Sequence, residues 1–189
     1  RLSNNKNSVY PTSLEASNHL FETGLFADVD PGFIIPFKNN ETPSDPYYSS
    51  QWGLKRNFLN LAATWNITKG KPYITTAIID GGIYTQHPDL VGRMHPYSYN
   101  CSAISSSSKD HGTMIAGIIA ANHNSIGVAG IAPETKLMDI SCSMQATPTF
   151  SEELANGVNK AWQNGADILN LSLGDQGGAY YNQLHSAVL

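Results

Sequence analysis

Strand-like and helix-like segments alternate along residues 57–173, and this order constrains the fold more than any other feature of the sequence. The predicted order is helix 57–65, strand 73–79, helix 111–122, strand 136–140, a third helix from Ser151, and strand 166–173. This alternation predicts an α/β fold with a mostly parallel sheet and helices on both faces. Such sheets place their sites at the carboxyl ends of the strands.

The third helix has the clearest amphipathic pattern. Leu154, Val158, Ala161 and Trp162 fall at positions i, i+4, i+7 and i+8, which predicts a single apolar face. Gly165 is expected to end this helix before the last strand begins.

The first fifty residues are organised differently. Thr12 to Glu15 has the form of a capping box, which predicts a short helix that Gly24 ends. Residues 38–50 have the polar, proline-bearing composition of a linker. We therefore expect a boundary in this stretch, ahead of a larger domain over residues 51–189.

Composition argues against two classes of partner. The formal net charge is −4, and acidic and basic residues are interspersed, so the basic stripe needed to neutralise phosphates is missing. No apolar run approaches the ~18 residues of a membrane span.

Cys101 and Cys142 form no CxxC motif, and the sequence leaves both their pairing and the redox compartment open.

A carboxylate ends the first central strand, because the run ITTAII leads directly into Asp80, Gly81 and Gly82. At this position the side chain would lie on the rim where α/β sheets bind their ligands. A turn aspartate that bonds its own backbone is the alternative. A dinucleotide site is disfavoured, because the stretch lacks the G-x-G-x-x-G spacing.

His111 begins the second predicted helix. The partial positive charge of a helix N-terminus disfavours protonation and keeps the imidazole able to accept a proton. Once protonated, the ring needs a counter-charge and a fixed tautomer, and a buried carboxylate on its other nitrogen supplies both. Asp80 could be that carboxylate, whereas a histidine that merely meets solvent is the alternative.

Four motifs agree in order and spacing over residues 51–189: DGGIYTQHPDL, HGTMIAGIIAA, NSIGVAGIAP and LNLSLG. Together they resemble the subtilisin-like serine peptidases. The resemblance implies a subtilisin-like fold, incomplete at the C-terminal end of this sequence, and a triad in the chain order Asp, His, Ser. It also implies that Asp80 orients the ring and that His111 acts as general base and then as general acid.

The same resemblance implies a nucleophilic serine in a GTSMAxP stretch and an oxyanion asparagine, and this sequence contains neither. Ser172, Ser186 and the run 105–108 do not match the serine motif. We therefore expect a longer enzyme, and we expect this chain alone to be inactive because covalent catalysis needs the nucleophile. A catalytically inactive, peptide-binding relative is the alternative.

Ser172, Leu173 and Gly174 close the last predicted strand. The resemblance places them beside a cleft in which an extended substrate adds as another strand through main-chain bonds. A protein or peptide substrate with loose sequence preference follows, and an ordinary strand end is the alternative.

A structural calcium site is also implied by the resemblance, whereas no organic cofactor is. Calcium binds carbonyl and carboxylate oxygens, and the loop 122–128 can turn several of them inward. The implied ligands are the side chains of Gln51, Asp89 and Asn124 and the carbonyl groups of Asn122, Ile126 and Val128. A helix C-terminal turn whose asparagines satisfy themselves is the alternative.

The leading segment LFETGLFADVDPGFIIP resembles the C-terminal end of an inhibitory propeptide. This implies that residues 1–37 act as an intramolecular inhibitor and that residues 38–50 hold the processing point. The resemblance also implies a secreted or cell-surface enzyme. An extra N-terminal helix and strand without inhibitory role is the alternative.

Three residues near the catalytic pair depart from the family pattern. Gly81 stands where serine or threonine is usual, Asp110 where glycine is usual, and Met114 where histidine is usual. None of these departures removes a catalytic group. Asp110 beside His111 could raise the affinity of the imidazole for protons and oppose the helix dipole.

Overall fold

The computed structural model describes residues 13–25, 42–101, 108–143 and 150–174. The chain divides into two compact units, Arg1–Lys38 and Asn39–Leu189. In the first unit, α1 spans Ser13–Glu22, and Gly24 follows it with φ of 68°, the left-handed conformation that commonly ends a helix. The expected cap at Thr12 lies outside the described residues. Within the described ranges, no helix has both the length and the apolar character needed to cross a membrane.

A sheet of four parallel strands organises the second unit. The strands are β1 (Thr75–Asp80), β2 (Tyr99–Asn100), β3 (Lys136–Ser141) and β4 (Ile168–Asn170). Their spatial order is β2-β3-β1-β4, and each of the three pairings is parallel. β1 therefore lies between β3 and β4, which brings its carboxyl end into the middle of one edge of the sheet.

Two helices cover the two faces of this sheet. They are α3 (Asp110–Ala120) and α4 (Phe150–Gln163). The core on the α4 side contains Ala77, Ile79, Met138, Ile140, Leu154, Val158 and Ala161. The core on the α3 side contains Ile78, Leu137, Ala116 and Ala120. Because β1 is buried on both faces, its sequence is a continuous apolar run, and the predicted parallel α/β fold with helices on both faces is confirmed.

The predicted apolar face of α4 is right at three positions and wrong at the fourth. Leu154, Val158 and Ala161 are buried, whereas Trp162 is 68% exposed. At roughly 100° per residue, position 162 lies about 80° around the helix from Leu154. Gly157 completes the buried face instead, and Gly165, with φ of 87°, follows the end of the helix as predicted.

The helix predicted over residues 57–65 is much shorter in the structure. Only α2 (Leu61–Thr64) forms, and Asn60 before it has a left-handed backbone with φ of 50°. A left-handed residue cannot continue a right-handed helix towards the N-terminus. The apolar side chains of Phe58 and Leu59 consequently lie exposed in a turn.

Residues 42–50 do not behave as the linker that their composition predicts. Pro46–Ser50 forms a 3-10 helix, and Tyr48 within it is buried against Trp65, with ring centroids 5.8 Å apart. Asp45 is also buried. This part of the predicted linker is therefore packed into the second unit, because long-range contacts that composition does not reveal hold it there.

Cys101 and Cys142 form a disulfide, which answers a question that the sequence left open. The bond joins the residue after β2 to the residue after β3. Gly157 of α4 packs directly on it: a Cβ added there would lie 2.8 Å from the sulfur of Cys101 and 3.1 Å from that of Cys142. The closeness of α4 to the sheet therefore depends on a glycine at this position.

We predict that Gly157→Ala lowers the free energy of unfolding by about 1–3 kcal/mol, because the disulfide cannot move away from the new methyl group. Gly117→Ala in α3 is the matched control, since its Cβ would meet only Val128, at an ordinary 3.6 Å. The control should gain about 0.5–1 kcal/mol from helix propensity. Urea unfolding measures both changes, and equal effects of the two substitutions would contradict the close contact.

Candidate active site

Asp80 and His111 meet at the carboxyl edge of the sheet. Nδ1 of His111 lies 2.7 Å from Oδ2 of Asp80. The Asp80 side chain is 1% exposed and the His111 side chain 55% exposed, so a buried carboxylate holds a ring that reaches solvent. The other carboxylate oxygen accepts the N–H of Gly81 at 2.7 Å, which orients the carboxyl group.

The start of α3 is seated on the segment that follows Asp80. Gly112 packs against the carbonyl group of Gly82 so closely that a Cβ at position 112 would collide with it. The N–H of Tyr84 donates to Oγ1 of Thr113 at 2.8 Å, and this hydroxyl donates to the carbonyl of Lys109 at 2.7 Å. These contacts place His111, the second residue of the helix, directly over Asp80.

This arrangement equips the imidazole for proton transfer. A carboxylate bonded to Nδ1 fixes the tautomer in which Nε2 is free to accept a proton, and it stabilises the imidazolium that results. Nε2 belongs to a largely exposed side chain and can therefore reach a bound molecule. The pairing inferred from the sequence for Asp80 and His111 is present in the structure.

A second carboxylate, which the sequence patterns did not reveal, lies next to this pair. Asp139 of β3 is 7% exposed, and its Oδ1 accepts the N–H of Ile83 at 3.1 Å. Burial raises the pKa of Asp139, the nearby positive charge of Lys109 opposes that rise, and the Asp80 carboxylate adds to it. A charged residue inside the apolar run of β3 was the signal that could have revealed it.

The predicted substrate residues Ser172, Leu173 and Gly174 follow β4 at the same edge of the sheet. The regular strand is shorter than the predicted 166–173, since it comprises only Ile168–Asn170. Oγ of Ser172 accepts a hydrogen bond from Nδ2 of Asn170 at 3.0 Å, and Leu173 packs against the core on the α4 side. Gly174 is exposed.

Two buried carboxylates lie together at another place in the second unit. Asp45 accepts the N–H of Asn124 through Oδ1 at 3.1 Å, and Asp89 accepts the N–H of Val128 through Oδ2 at 3.0 Å. The remaining oxygens, Oδ2 of Asp45 and Oδ1 of Asp89, are buried without a hydrogen-bond partner. Orphaned carboxylate oxygens of this kind are the ligands that a hard divalent cation uses.

The structure places the other predicted calcium ligands unequally around this pair. Asn124 borders both carboxylates, but its own Oδ1 accepts the N–H of Ile126 at 2.9 Å. The backbone N–H of Asn122 donates to the carbonyl of Asp89 at 2.9 Å. Gln51 has its amide paired at both ends with the backbone of Ala129, at 2.9 and 3.0 Å. Asp45, which belongs to the stretch predicted as a linker, is the carboxylate whose negative charge acts on Asp89.

Burial, more than the charge of Asp45, explains the shifted pKa of Asp89. Burial raises its pKa above the ordinary 3.8, the N–H of Val128 opposes the rise, and the carboxylate of Asp45 adds to it. The described residues contain no group of three or more His, Cys, Asp or Glu side chains suited to a metal. A cation at this place would therefore need amide and carbonyl oxygens besides the two carboxylates.

Comparison with known proteins gives one consistent result. The sequence model of the subtilase family matches residues 72–188. Thermitase of Thermoactinomyces vulgaris is 35% identical over 138 residues, which cover 70% of this chain and 48% of thermitase. The minor extracellular protease Epr of Bacillus subtilis (strain 168) is 35% identical over 127 residues, which cover 66% of this chain and 19% of that protein.

A solved structure supports the same relationship. Fervidolysin from Fervidobacterium pennivorans, described as a keratinolytic enzyme related to subtilisin, superposes with a TM-score of 0.58 at 25% identity. The match covers 85% of this chain and 26% of fervidolysin. The chain thus spans between about a fifth and a half of the lengths of these three proteins.

The raised pKa of Asp89 predicts an unusual pH dependence of stability in metal-free buffer. Where the pKa of a carboxyl group is higher in the folded state, the folded state binds more protons than the unfolded state. The contribution of Asp89 to the free energy of unfolding therefore falls as pH rises from 3.8 through the raised pKa. Asp89→Asn should lack this dependence, and the difference between the two proteins in urea unfolding across that window measures it. A difference that does not change with pH would contradict the prediction.

Proposed function

The chain belongs to the subtilase family, and from this premise we propose that it forms the aspartate- and histidine-bearing part of a serine endopeptidase. The observation that carries the proposal is the 2.7 Å contact between Nδ1 of His111 and the buried carboxylate of Asp80. In the proposed mechanism His111 takes a proton from a serine hydroxyl through Nε2 and later gives it to the leaving amine. Asp80 orients the ring and stabilises the imidazolium between these steps. We propose that this serine lies outside the 189 residues.

The sheet edge supports a protein or peptide as the substrate. β1, which carries Asp80, is paired with β4, and the segment Ser172 to Gly174 continues beyond the carboxyl end of β4. An extended peptide that bonds to the main chain of this segment would run along the edge where His111 lies. Because such contacts use backbone groups, we propose loose selectivity for the substrate side chains.

We predict that the full-length protein containing this chain hydrolyses a peptide substrate and is labelled by a serine-directed fluorophosphonate. Asp80→Asn should keep the shape of the carboxyl group but lose the fixed tautomer of His111. The expected fall in kcat is on the order of 10⁴-fold, the magnitude established for the triad aspartate of a subtilisin. His111→Ala should lower kcat at least as much. Asp167→Asn, at the other end of β1, is the control and should stay active.

Labelling separates this proposal from its alternative. A folded full-length protein that neither hydrolyses peptides nor reacts with the fluorophosphonate would favour a catalytically inactive, peptide-binding subtilase. Binding of an unlabelled peptide to that protein would then be the activity to measure.

We also propose that the pair of Asp45 and Asp89 holds a structural calcium ion. Oδ2 of Asp45 and Oδ1 of Asp89 are the strongest candidate ligands for a hard cation, because they belong to carboxylates and are buried without a hydrogen-bond partner. Asn124 would contribute its side-chain oxygen, and Asn122, Ile126 and Val128 their carbonyl groups. The amide of Gln51 would hold the end of the loop 122–128 through the backbone of Ala129 and would not be a principal ligand. The ion would remove the mutual repulsion of the two carboxylates, which otherwise costs stability.

Calcium should therefore raise the melting temperature of the protein relative to a chelator. At a calcium concentration of 100 times Kd, the expected gain is about 2.7 kcal/mol. Asp45→Asn and Asp89→Asn should each abolish most of the gain, whereas Asp167→Asn should keep it. Scanning calorimetry measures these shifts, and an unchanged melting temperature at millimolar calcium would rule the site out.

We further propose that the protein is an extracellular enzyme made as a zymogen. The disulfide between Cys101 and Cys142 suits an oxidising compartment, and the relative Epr is named an extracellular protease. The unit Arg1–Lys38 would be the end of an inhibitory propeptide. N-terminal sequencing of the mature protein tests this: a start between residues 38 and 50 supports processing, and residues 1–37 retained in the active enzyme would refute it.

A further inference from the structure

Asp139 is a buried acidic residue in β3, a strand whose other buried side chains are apolar. Its backbone pairs with Ile78 in the β1–β3 ladder, and its side chain lies on the same face of the sheet as Leu137. That face is covered by the apolar residues of α3. An apolar side chain would avoid the cost of burying a carboxylate, so packing does not account for Asp139.

The contacts of Asp139 point to the segment that follows Asp80. Its Oδ1 accepts the N–H of Ile83 at 3.1 Å. Two residues further along β3, Oγ of Ser141 donates to the carbonyl of Gly81 at 3.3 Å. Side chains of β3 therefore hold residues 81–83 from one side.

The opposite side of the same segment carries the start of α3. The carbonyl group of Gly82 is in direct contact with Gly112, and the side chain of Lys109 lies over Gly82, where an added Cβ would come within 3.4 Å of it. Lys109 also faces Asp139, since its positive charge acts on the carboxyl group of Asp139. A shift of residues 81–83 would consequently move His111 relative to Asp80.

We propose that Asp139 is a positioning residue for the Asp80–His111 pair. By fixing residues 81–83 against the N-terminal end of α3, it keeps His111 at hydrogen-bonding distance from Asp80. The proposal rests on the peptidase function proposed above, and it adds a residue that touches neither the substrate nor the reacting atoms. Lys109 balances the buried charge and keeps the carboxylate a strong acceptor for the N–H of Ile83.

The test compares Asp139→Leu and Asp139→Asn in the full-length protein. Asp139→Leu removes the acceptor, and kcat should fall about 10- to 100-fold with KM within about twofold, because small errors in geometry are costly. Asp139→Asn keeps an acceptor oxygen without its charge, and kcat should fall about two- to fivefold. If Asp139→Leu does not fold, Asp139→Asn decides alone, and an unchanged kcat in it would overturn the proposal.

Asp167→Leu is the control, at an exposed carboxylate that also accepts a backbone N–H. Oδ2 of Asp167 accepts the N–H of Thr75 at 2.8 Å, which is the same kind of bond at the opposite end of β1. This variant should keep kcat within about twofold, after correction for the folded fraction by near-ultraviolet circular dichroism. Equal losses of kcat in Asp167→Leu and Asp139→Leu would show a general structural role and overturn the proposal.

A second readout does not depend on turnover. The proton shared by Nδ1 of His111 and Oδ2 of Asp80 should give a low-field proton resonance in nuclear magnetic resonance spectra. Asp139→Leu should shift or abolish this resonance, whereas Asp167→Leu should not. An unchanged resonance in Asp139→Leu would overturn the proposal. If the wild-type protein fails to react with fluorophosphonate, the peptidase function fails, and this resonance still decides whether Asp139 positions the pair.

Discussion

The parallel ladder between β1 and β3 is the interaction on which the rest of the second unit depends. Six residues of each strand are in register, from Thr75 opposite Lys136 to Asp80 opposite Ser141. Immediately beyond the ladder, the N–H of Cys142 donates to the carbonyl of Asp80 at 2.8 Å. The backbone that carries the Asp80 carboxylate is thus held by its neighbouring strand. The close contact of Gly112 with Gly82 and the hydrogen bonds of Thr113 then bring the imidazole to it.

Much of this arrangement could be predicted because its signals are local. β1 is buried on both faces, so its apolar run is continuous, and the two glycines after it mark where the strand ends. The first turn of α3 places His111 at a helix mouth irrespective of distant contacts. The family motifs then joined Asp80 to His111, two residues that are 31 positions apart in the chain.

The features that escaped prediction depend on partners far away in the chain. Asp45 lies in a polar, proline-bearing stretch, and only its contact with Asn124, 79 residues later, shows that it is buried. Asp139 is one charge in an apolar strand, and its meaning appears only with the N–H of Ile83, 56 residues earlier. Trp162 was misplaced for a different reason, since a helical pattern does not tell where the edge of a buried face falls.

The hydrogen bonds that hold residues 44–48 bear on the processing proposed for residues 38–50. Hydroxyl groups of Ser44 and Ser125 lie 2.6 Å apart, and the N–H of Tyr47 donates to the carbonyl of Gly127 at 3.0 Å. A new N-terminus created ahead of Ser44 leaves both members of the carboxylate pair in place, whereas one created after Asp45 removes a member. Under the proposed processing and calcium site, the position of the cleavage would therefore set how tightly the processed protein binds calcium.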